Sequence, residues 1–198
     1  MTELLFYHLQ RQPLERVLPA LIEKSLERGW RVVVQAASEE RLDALDAHLW
    51  TFRDDSFLPH GTWREPDAGE QPILLTVGGD NPNGAAVRFL VDGAPVPADA
   101  QAYQRIVLIF DGEDPDAVAT ARTRWNEARA QGFEVTYWQP DDDGRWQRTY
   151  PIHLIGRLAE LRPSRWFNWL VHTERPAFYL KRFIDAACLP GKCLSRYP

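Results

Sequence analysis

Apolar positions along residues 1–150 alternate between the spacing of buried strands and the spacing of helices. Short apolar runs rich in β-branched and aromatic residues predict strands over 4–9, 31–35, 73–77, 87–91 and 105–110. Apolar residues spaced by three and four predict helices over 14–28, after the candidate N-cap Ser38, and from 114–115 to Gly132. This alternation is typical of a mostly parallel α/β sheet flanked by helices.

The remaining segments connect or complete the predicted sheet. Residues 51–72 are predicted to form a loop, because proline and glycine interrupt any regular period. The segment 78–84, rich in glycine and asparagine, is predicted to be a turn. Residues 134–139 close the sheet, and after an acidic turn the segment 145–150 can pair back as a hairpin arm.

Composition and charge divide the chain into two parts. It has 198 residues, 44% apolar and 12% aromatic, enough for one core and too few for two full-sized domains. Residues 1–150 carry 15 Lys and Arg against 25 Asp and Glu, a net charge of −10, whereas residues 151–198 carry 8 against 3, a net charge of +5. We expect one domain over 1–150 and a basic, aromatic-rich extension over 151–198. Phosphate contacts need concentrated cations, so contact of the acidic domain with DNA is expected to be mainly indirect.

The sequence also argues against membrane, secreted and zinc-binding classes of protein. No apolar run approaches the roughly 20 residues that span a bilayer, and the first residues lack the basic segment of a signal peptide, so we expect a cytoplasmic protein. A disulfide framework would need more cysteines than Cys188 and Cys193. His153 and His172 lie too far upstream to complete a zinc-ligand spacing. We therefore expect no metal and no cofactor.

Three polar segments were candidates for chemistry, and each lacks part of the required pattern. The glycine cluster 78–84 has neither the Lys-Ser/Thr of a P-loop nor the spacing of a dinucleotide fingerprint. Ser56 and His60 lie close together, but outside any context that resembles a nucleophile elbow. The acidic run 141–143 lacks the alternating ligands of a hard-cation loop, which favours a solvated hairpin tip. No catalytic residue is expected.

The predicted helix over 114–131 has a face of small residues and, beside it, a stripe of larger ones. With Ala117 at 0°, alanines fill the range to about 40°, and the stripe at about 80° to 140° contains Trp125, Val118, Arg129 and Arg122. The pattern alone favours a tryptophan at the edge of the core that arginine stems cover. The alternative interpretation is a groove for an acidic peptide, in which guanidiniums bind carboxylates and the ring packs an apolar residue.

Four segments, in order along the chain, resemble the chi subunit family of bacterial DNA polymerase III. They are 5–9, the helix over 42–50, the segment 56–60, and the helix end from 124–125 to Gly132. The resemblance runs from about Thr2 to about Tyr150. It implies a single α/β domain similar to mononucleotide-binding (Rossmann-like) folds but without nucleotide chemistry. It also implies a non-catalytic, accessory role in the clamp-loader assembly.

The resemblance further implies protein partners. Chi-like proteins bind the acidic, aromatic-ended C-terminal tail of single-stranded DNA-binding protein, and in many bacteria they bind the psi subunit on another surface. Carried over position by position, Trp50 and Phe57 match aromatic residues of the tail-binding pocket, and Arg122 and Trp125 match its helix positions. The resemblance thus favours the groove interpretation, with Arg122 on the carboxylates and the three aromatic residues forming one apolar slot.

The helix departs from the family pattern at two positions. Two other basic positions of the family are Val118 and Asn126 in this chain, which weakens the electrostatic half of the expected site. Arg129 is the candidate that compensates for them.

Two other functions remain as alternatives. The first is an enzyme that binds a nucleotide or phosphate at the carboxyl ends of the strands, which the missing glycine fingerprint disfavours. The second is direct binding of single-stranded DNA by the extension 151–198, where apolar pairs between prolines permit three short helices. The extension could instead pack back on the acidic domain, or be an addition without a selected structure.

Overall fold

The structure, a computed structural model, describes residues 2–141 and 143–149. In this part of the chain three helices alternate with strands of one eight-stranded sheet. The strands are β1 (Glu3–Leu9), β2 (Val32–Gln35), β3 (His60–Thr62), β4 (Ile73–Thr76), β5 (Val87–Leu90), β6 (Arg105–Asp111), β7 (Glu134–Pro140) and β8 (Trp146–Thr149). The helices are α1 (Leu14–Leu26), α2 (Glu39–Thr51) and α3 (Pro115–Ala130), and a single 3₁₀ turn spans Ala100–Ala102.

The strand order is β3-β4-β2-β5-β6-β1-β7-β8. All neighbours pair in parallel except β7 and β8, which form an antiparallel hairpin. The expectation of a mostly parallel α/β sheet is therefore confirmed, and the predicted hairpin arm is present over Trp146–Thr149.

Helices cover both faces of the sheet, and alternation along β1 separates the two cores. Leu5, Tyr7 and Leu9 face a core that contains the apolar sides of α1 and α2. Leu4 and Phe6 face a second core beneath α3. Successive strand residues point to opposite faces, so both cores are built on the same central strand. This division decides where the candidate site residues lie.

Local signals set the helix ends as the sequence predicts. The Ser38 side chain accepts from the Arg41 backbone N–H at the start of α2, and Asp114 accepts from Asp116 N–H at the start of α3. Past their ends, α1 and α3 are followed by Gly29 at φ 74° and Gly132 at φ 81°, in the left-handed region that glycine adopts without strain. Pro19 lies within α1 and is buried.

The prediction that 51–72 is entirely loop is wrong, because it contains β3. This strand has three residues, one of them Gly61, and it pairs with β4 through main-chain bonds. It forms one edge of the sheet described here. At this edge the Thr62 backbone N–H donates to the Glu65 carboxylate at 3.0 Å. The Thr62 hydroxyl donates to the same oxygen at 3.2 Å.

Several predictions lie outside the described residues. They concern the extension 151–198 with its three helices, both cysteines, His153 and His172, together with Asp142 and Tyr150. Within the described part of the chain, none of the helices has the length and apolar character needed to cross a membrane.

Candidate functional site

The stripe predicted on the third helix is present on α3. Val118, Arg122, Trp125 and Arg129 follow one another at spacings of four, three and four within this continuous helix, so they lie along one side of it. Arg122 and Arg129 are exposed and Val118 is half-buried. The residues three and four positions from Arg129 carry no carboxylate, so no intrahelical partner of this kind neutralises Arg129.

Trp125 lies beneath this stripe and not on its surface. It is 6% exposed and packs edge-on against Phe6, with ring centroids 5.1 Å apart, and against Tyr137 at 6.2 Å. Its indole nitrogen is buried and has no hydrogen-bond partner among the described residues. Its burial therefore agrees with the core-edge interpretation, and its ring supports the residues above it.

The third arginine of α3 has a structural role that the sequence did not indicate. Arg124 donates to the backbone carbonyls of Gly93 and Ala94, at 2.6 and 2.7 Å. These bonds tie α3 to the loop after β5, and burial lowers the pKa of the Arg124 guanidinium. In contrast, Arg129 makes no ion pair with any residue that the structure describes.

A second surface is formed by aromatic residues at the end of α2 and in the following loop. Trp50 is 56% exposed and Phe57 is 65% exposed, and their ring centroids are 5.7 Å apart. The Trp50 ring also packs on His60, at 4.7 Å. His60 is buried and its Nδ1 bonds the Leu58 carbonyl, which agrees with the packing role expected for it. We call Trp50 and Phe57 the aromatic pair.

Two arginines in the region of α2 are already matched by carboxylates. Arg53, three residues after Trp50, pairs with Glu23 at 3.0 Å and with Asp55 at 2.6 Å. Arg64, which follows β3, contacts two carboxylates at the start of α2, those of Asp43 at 2.7 Å and Glu39 at 3.0 Å. An acidic peptide at the aromatic pair would therefore compete with existing partners for its cations.

The aromatic pair and the α3 stripe do not form the single slot that was expected. α2 packs beside β3 and β4 on one face of the sheet, whereas α3 packs on β6 and β7 on the other face. The combination of Trp50 and Phe57 with Trp125 in one apolar slot is therefore corrected, because the sheet separates them. The candidate site residues belong to two surfaces.

A cavity of about 740 Å³ opens at the carboxyl ends of β1 and β6, where α1 and α3 leave toward opposite faces. Ligands of open α/β sheets commonly bind at such a position. Its lining includes three arginines, of which Arg41 pairs with Glu15 at 2.8 Å and Asp92 at 2.6 Å. Six carboxylates also line it: Glu15, Asp92, Asp111, Glu113, Asp114 and Asp116. This acidic lining disfavours a phosphate ligand.

The glycine turn 78–84 is also unsuited to binding a phosphate. The carbonyls of Gly78, Gly79 and Asp80 accept hydrogen bonds from the buried Arg88 guanidinium. The Gly78 N–H is taken by the Thr76 hydroxyl at 2.9 Å. A phosphate cradle requires inward-pointing N–H groups, whereas this turn directs carbonyls at a cation.

The remaining chemical candidates stay separate as well. Ser56 donates to Glu23 at 2.8 Å, while the His60 ring contacts Leu58 and Trp50. The Asp141 carboxylate accepts from the backbone N–H groups of the acidic turn. Across residues 2–141 and 143–149, no group of three or more His, Cys, Asp or Glu side chains is placed to hold a metal ion.

Comparison with known proteins agrees with the resemblance in the sequence. The family model described as "DNA polymerase III chi subunit, HolC" matches residues 1–136. The "DNA polymerase III subunit chi" of Pseudomonas aeruginosa PAO1 is 31% identical over 116 residues, which cover 58% of this chain and 78% of that protein. The "Probable DNA polymerase III subunit chi" of Rickettsia prowazekii (strain Madrid E) is 26% identical over 117 residues, covering 56% of this chain and 71% of that protein.

Proposed function

The chain belongs to the DNA polymerase III chi subunit family, and on that premise we propose that it is a non-catalytic accessory subunit that binds the acidic C-terminal tail of single-stranded DNA-binding protein. In this role it joins that protein to the clamp-loader assembly in the cytoplasm, and it contacts DNA mainly through its partners. The observation that carries the proposal is the outer stripe of α3, which presents exposed arginines on an otherwise acidic domain.

Electrostatics favour α3 over the aromatic pair for an acidic ligand. Arg122 and Arg129 are exposed on one side of α3, and Arg129 makes no ion pair with a described residue. Arg53, three residues after Trp50, and Arg64, which pairs with α2, already hold two carboxylates each. A peptide carboxylate on the α3 stripe can therefore form a charge-assisted bond where the described residues leave an arginine without an ion pair.

The apolar end of the tail has a contact on the same stripe. Val118 is half-buried one turn before Arg122 and packs against the core beneath α3. Trp125 supports this area from below. An aromatic side chain laid against Val118 would cover apolar surface while the carboxylates lie over the arginine.

Calorimetry with an acidic, aromatic-ended tail peptide at low salt tests this assignment. A charge-assisted hydrogen bond is worth about 1.5 to 3 kcal/mol, so Arg122→Ala should weaken binding roughly tenfold or more. Arg16→Ala is the matched control, because Arg16 is an exposed arginine of α1, on the other face of the sheet. Equal affinity of the Arg122→Ala variant and the native chain would refute the role of Arg122.

We further propose that the aromatic pair binds a second protein subunit, with psi as the candidate. Trp50 and Phe57 are two of the three large apolar side chains that are exposed in the described residues, the third being Trp63. Exposed aromatic residues in contact are typical anchors of protein interfaces. Co-elution with psi in size-exclusion chromatography should be lost in Phe57→Ser, while the tail peptide still binds. Loss of both interactions would mean that the variant is misfolded or that the two surfaces are not independent, and circular dichroism separates these outcomes.

The alternative of a nucleotide- or phosphate-binding enzyme predicts a different ligand response. A thermal-shift screen should detect stabilisation by the tail peptide and none by nucleotides, because a ligand that binds only the folded state raises its stability. Stabilisation by nucleotides alone would favour the enzyme.

A further inference from the structure

Arg122 and Arg129 together define a spacing along α3. Seven positions separate them in one uninterrupted helix, which corresponds to a rise of about 10.5 Å and to nearly two full turns. Both side chains therefore project from the same side of the helix. An extended peptide rises about 3.3 Å per residue, so this distance corresponds to roughly three peptide residues.

Resting on the proposed function, we infer that Arg122 and Arg129 bind two anionic groups of the tail that lie about three residues apart. Arg129 is thereby a specificity-determining residue of the tail site. The peptide runs along α3, with one anion over each arginine and its middle residues over the neutral surface between them.

The residues between the two arginines agree with a site that contacts the peptide charges at two points. Trp125, which is buried, and Asn126, which is exposed, are the intervening residues nearest to this side of the helix, and neither carries a charge. Arg124 and Glu127 project from other sides of α3. Arg129 lies in the last turn of α3, without an ion-pair partner in the described part of the chain. Its guanidinium is therefore available to a ligand at no cost in lost ion pairs.

The position of Arg129 on the stripe distinguishes it from other surface arginines. Arg41, Arg53 and Arg64 each bridge two carboxylates, and Arg124 bonds two carbonyls, so an added anion at any of these must compete with an existing acceptor. Arg16 is exposed and has no ion pair with a described residue, but it lies on α1, on the other face of the sheet. Arg129 lies on the same side of α3 as Arg122.

Three acetylated peptides of equal net charge test the spacing. Each ends in phenylalanine with a free carboxylate and contains one aspartate, placed one, three or six residues before the end. Binding to the full chain is measured by calorimetry at low salt. The three-residue spacing should bind tightest, by up to about fivefold, the upper end of the range expected for one exposed charge pair.

Substitutions then separate the inference from the proposed function. In Arg129→Gln the preference for the three-residue spacing should disappear, and in Arg129→Lys it should be partly restored. Arg122→Ala should weaken binding of all three peptides, and the control Arg16→Gln should leave their affinities unchanged. If Arg122→Ala weakens binding but Arg129→Gln leaves the preference intact, the spacing is refuted and the tail site stands. If none of the three peptides binds the native chain, both are refuted.

Discussion

Arg88 provides the sharpest test of what stabilises this domain, because it is a buried cation that pairs with no carboxylate of the described residues. Its side chain is 0% exposed. It donates to the Tyr103 hydroxyl at 2.9 Å and to the Gln35 amide oxygen at 2.6 Å. Its remaining bonds go to the backbone carbonyls of Gly78, Gly79 and Asp80. A charge in this position is tolerated because five acceptors replace the lost water.

Replacing Arg88 with methionine keeps much of the volume and removes all the donors. The Tyr103 hydroxyl and the Gln35 oxygen are buried, and each polar group left without a partner costs about 1 to 3 kcal/mol. The carbonyls of the glycine turn are only partly buried and can bind water. The variant no longer carries the desolvation cost of the guanidinium, which offsets part of the loss. We expect the free energy of unfolding to fall by about 2 to 4 kcal/mol.

Urea unfolding followed by circular dichroism measures this change. With a slope of about 2 kcal/mol/M, the midpoint should fall by about 1 to 2 M. Arg31→Met is the matched control, because Arg31 is exposed and donates to two carbonyls, those of Gly69 and Asn83. Its cost should stay below about 1 kcal/mol. An Arg88→Met midpoint within error of the native value would refute the view that this network stabilises the fold.

Three further predictions follow from buried contacts. Gly112→Ala should lower the melting temperature sharply, because an added Cβ would lie 2.7 Å from the Leu9 carbonyl oxygen and would overlap the His8 ring. The control Gly78→Ala should change the melting temperature little, because its Cβ would meet nothing closer than 3.6 Å. Trp125→Ala should cost about 3 to 5 kcal/mol in urea unfolding, the range for removing a buried aromatic ring. Burial raises the pKa of Tyr137 far above its usual value, so above about pH 10 the unfolded chain loses a proton that the folded chain keeps. The free energy of unfolding should therefore fall as the pH rises above about 10, and it should fall less steeply in Tyr137→Phe.

Much of the fold could be predicted from local patterns, because its strands and helices differ in period. The buried run at 105–110 and the three-four spacing after Leu14 identify β6 and α1 within a few residues. Ser38 was recognisable as a cap because a side chain and a nearby N–H are sufficient for the interaction, and the start of α3 near Asp114 was also predicted. β3 had no comparable signal, since its three residues are held by pairing with β4 and not by their own pattern.

The candidate site was predicted less well, because periodicity identifies the buried side of a helix but not the face of the sheet on which it packs. Trp125 was correctly placed beside the alanine face of α3. Trp125 and Trp50 lie on opposite faces of the sheet. That arrangement depends on the strand order, for example on β1 lying between β6 and β7, and such pairing joins residues far apart in the sequence. The acceptors of Arg88 and Arg124 were unpredictable for the same reason. They include the backbone carbonyls of Gly79 and Gly93, and only the folded chain brings these turns beside the two arginines.

The Glu65 carboxylate at the outer rim of β3 has a consequence for how the protein behaves at high concentration. An open strand can recruit a second copy into a growing sheet, and here the outward Thr62 amide is already occupied. A Cβ at Gly61 would lie 2.7 Å from Glu65 Oε2 and 2.9 Å from the Gln71 side chain, so these two side chains would have to shift to admit it. A single methyl group at Gly61 therefore tests whether the carboxylate on the Thr62 amide limits aggregation, even though the substitution removes nothing from either core.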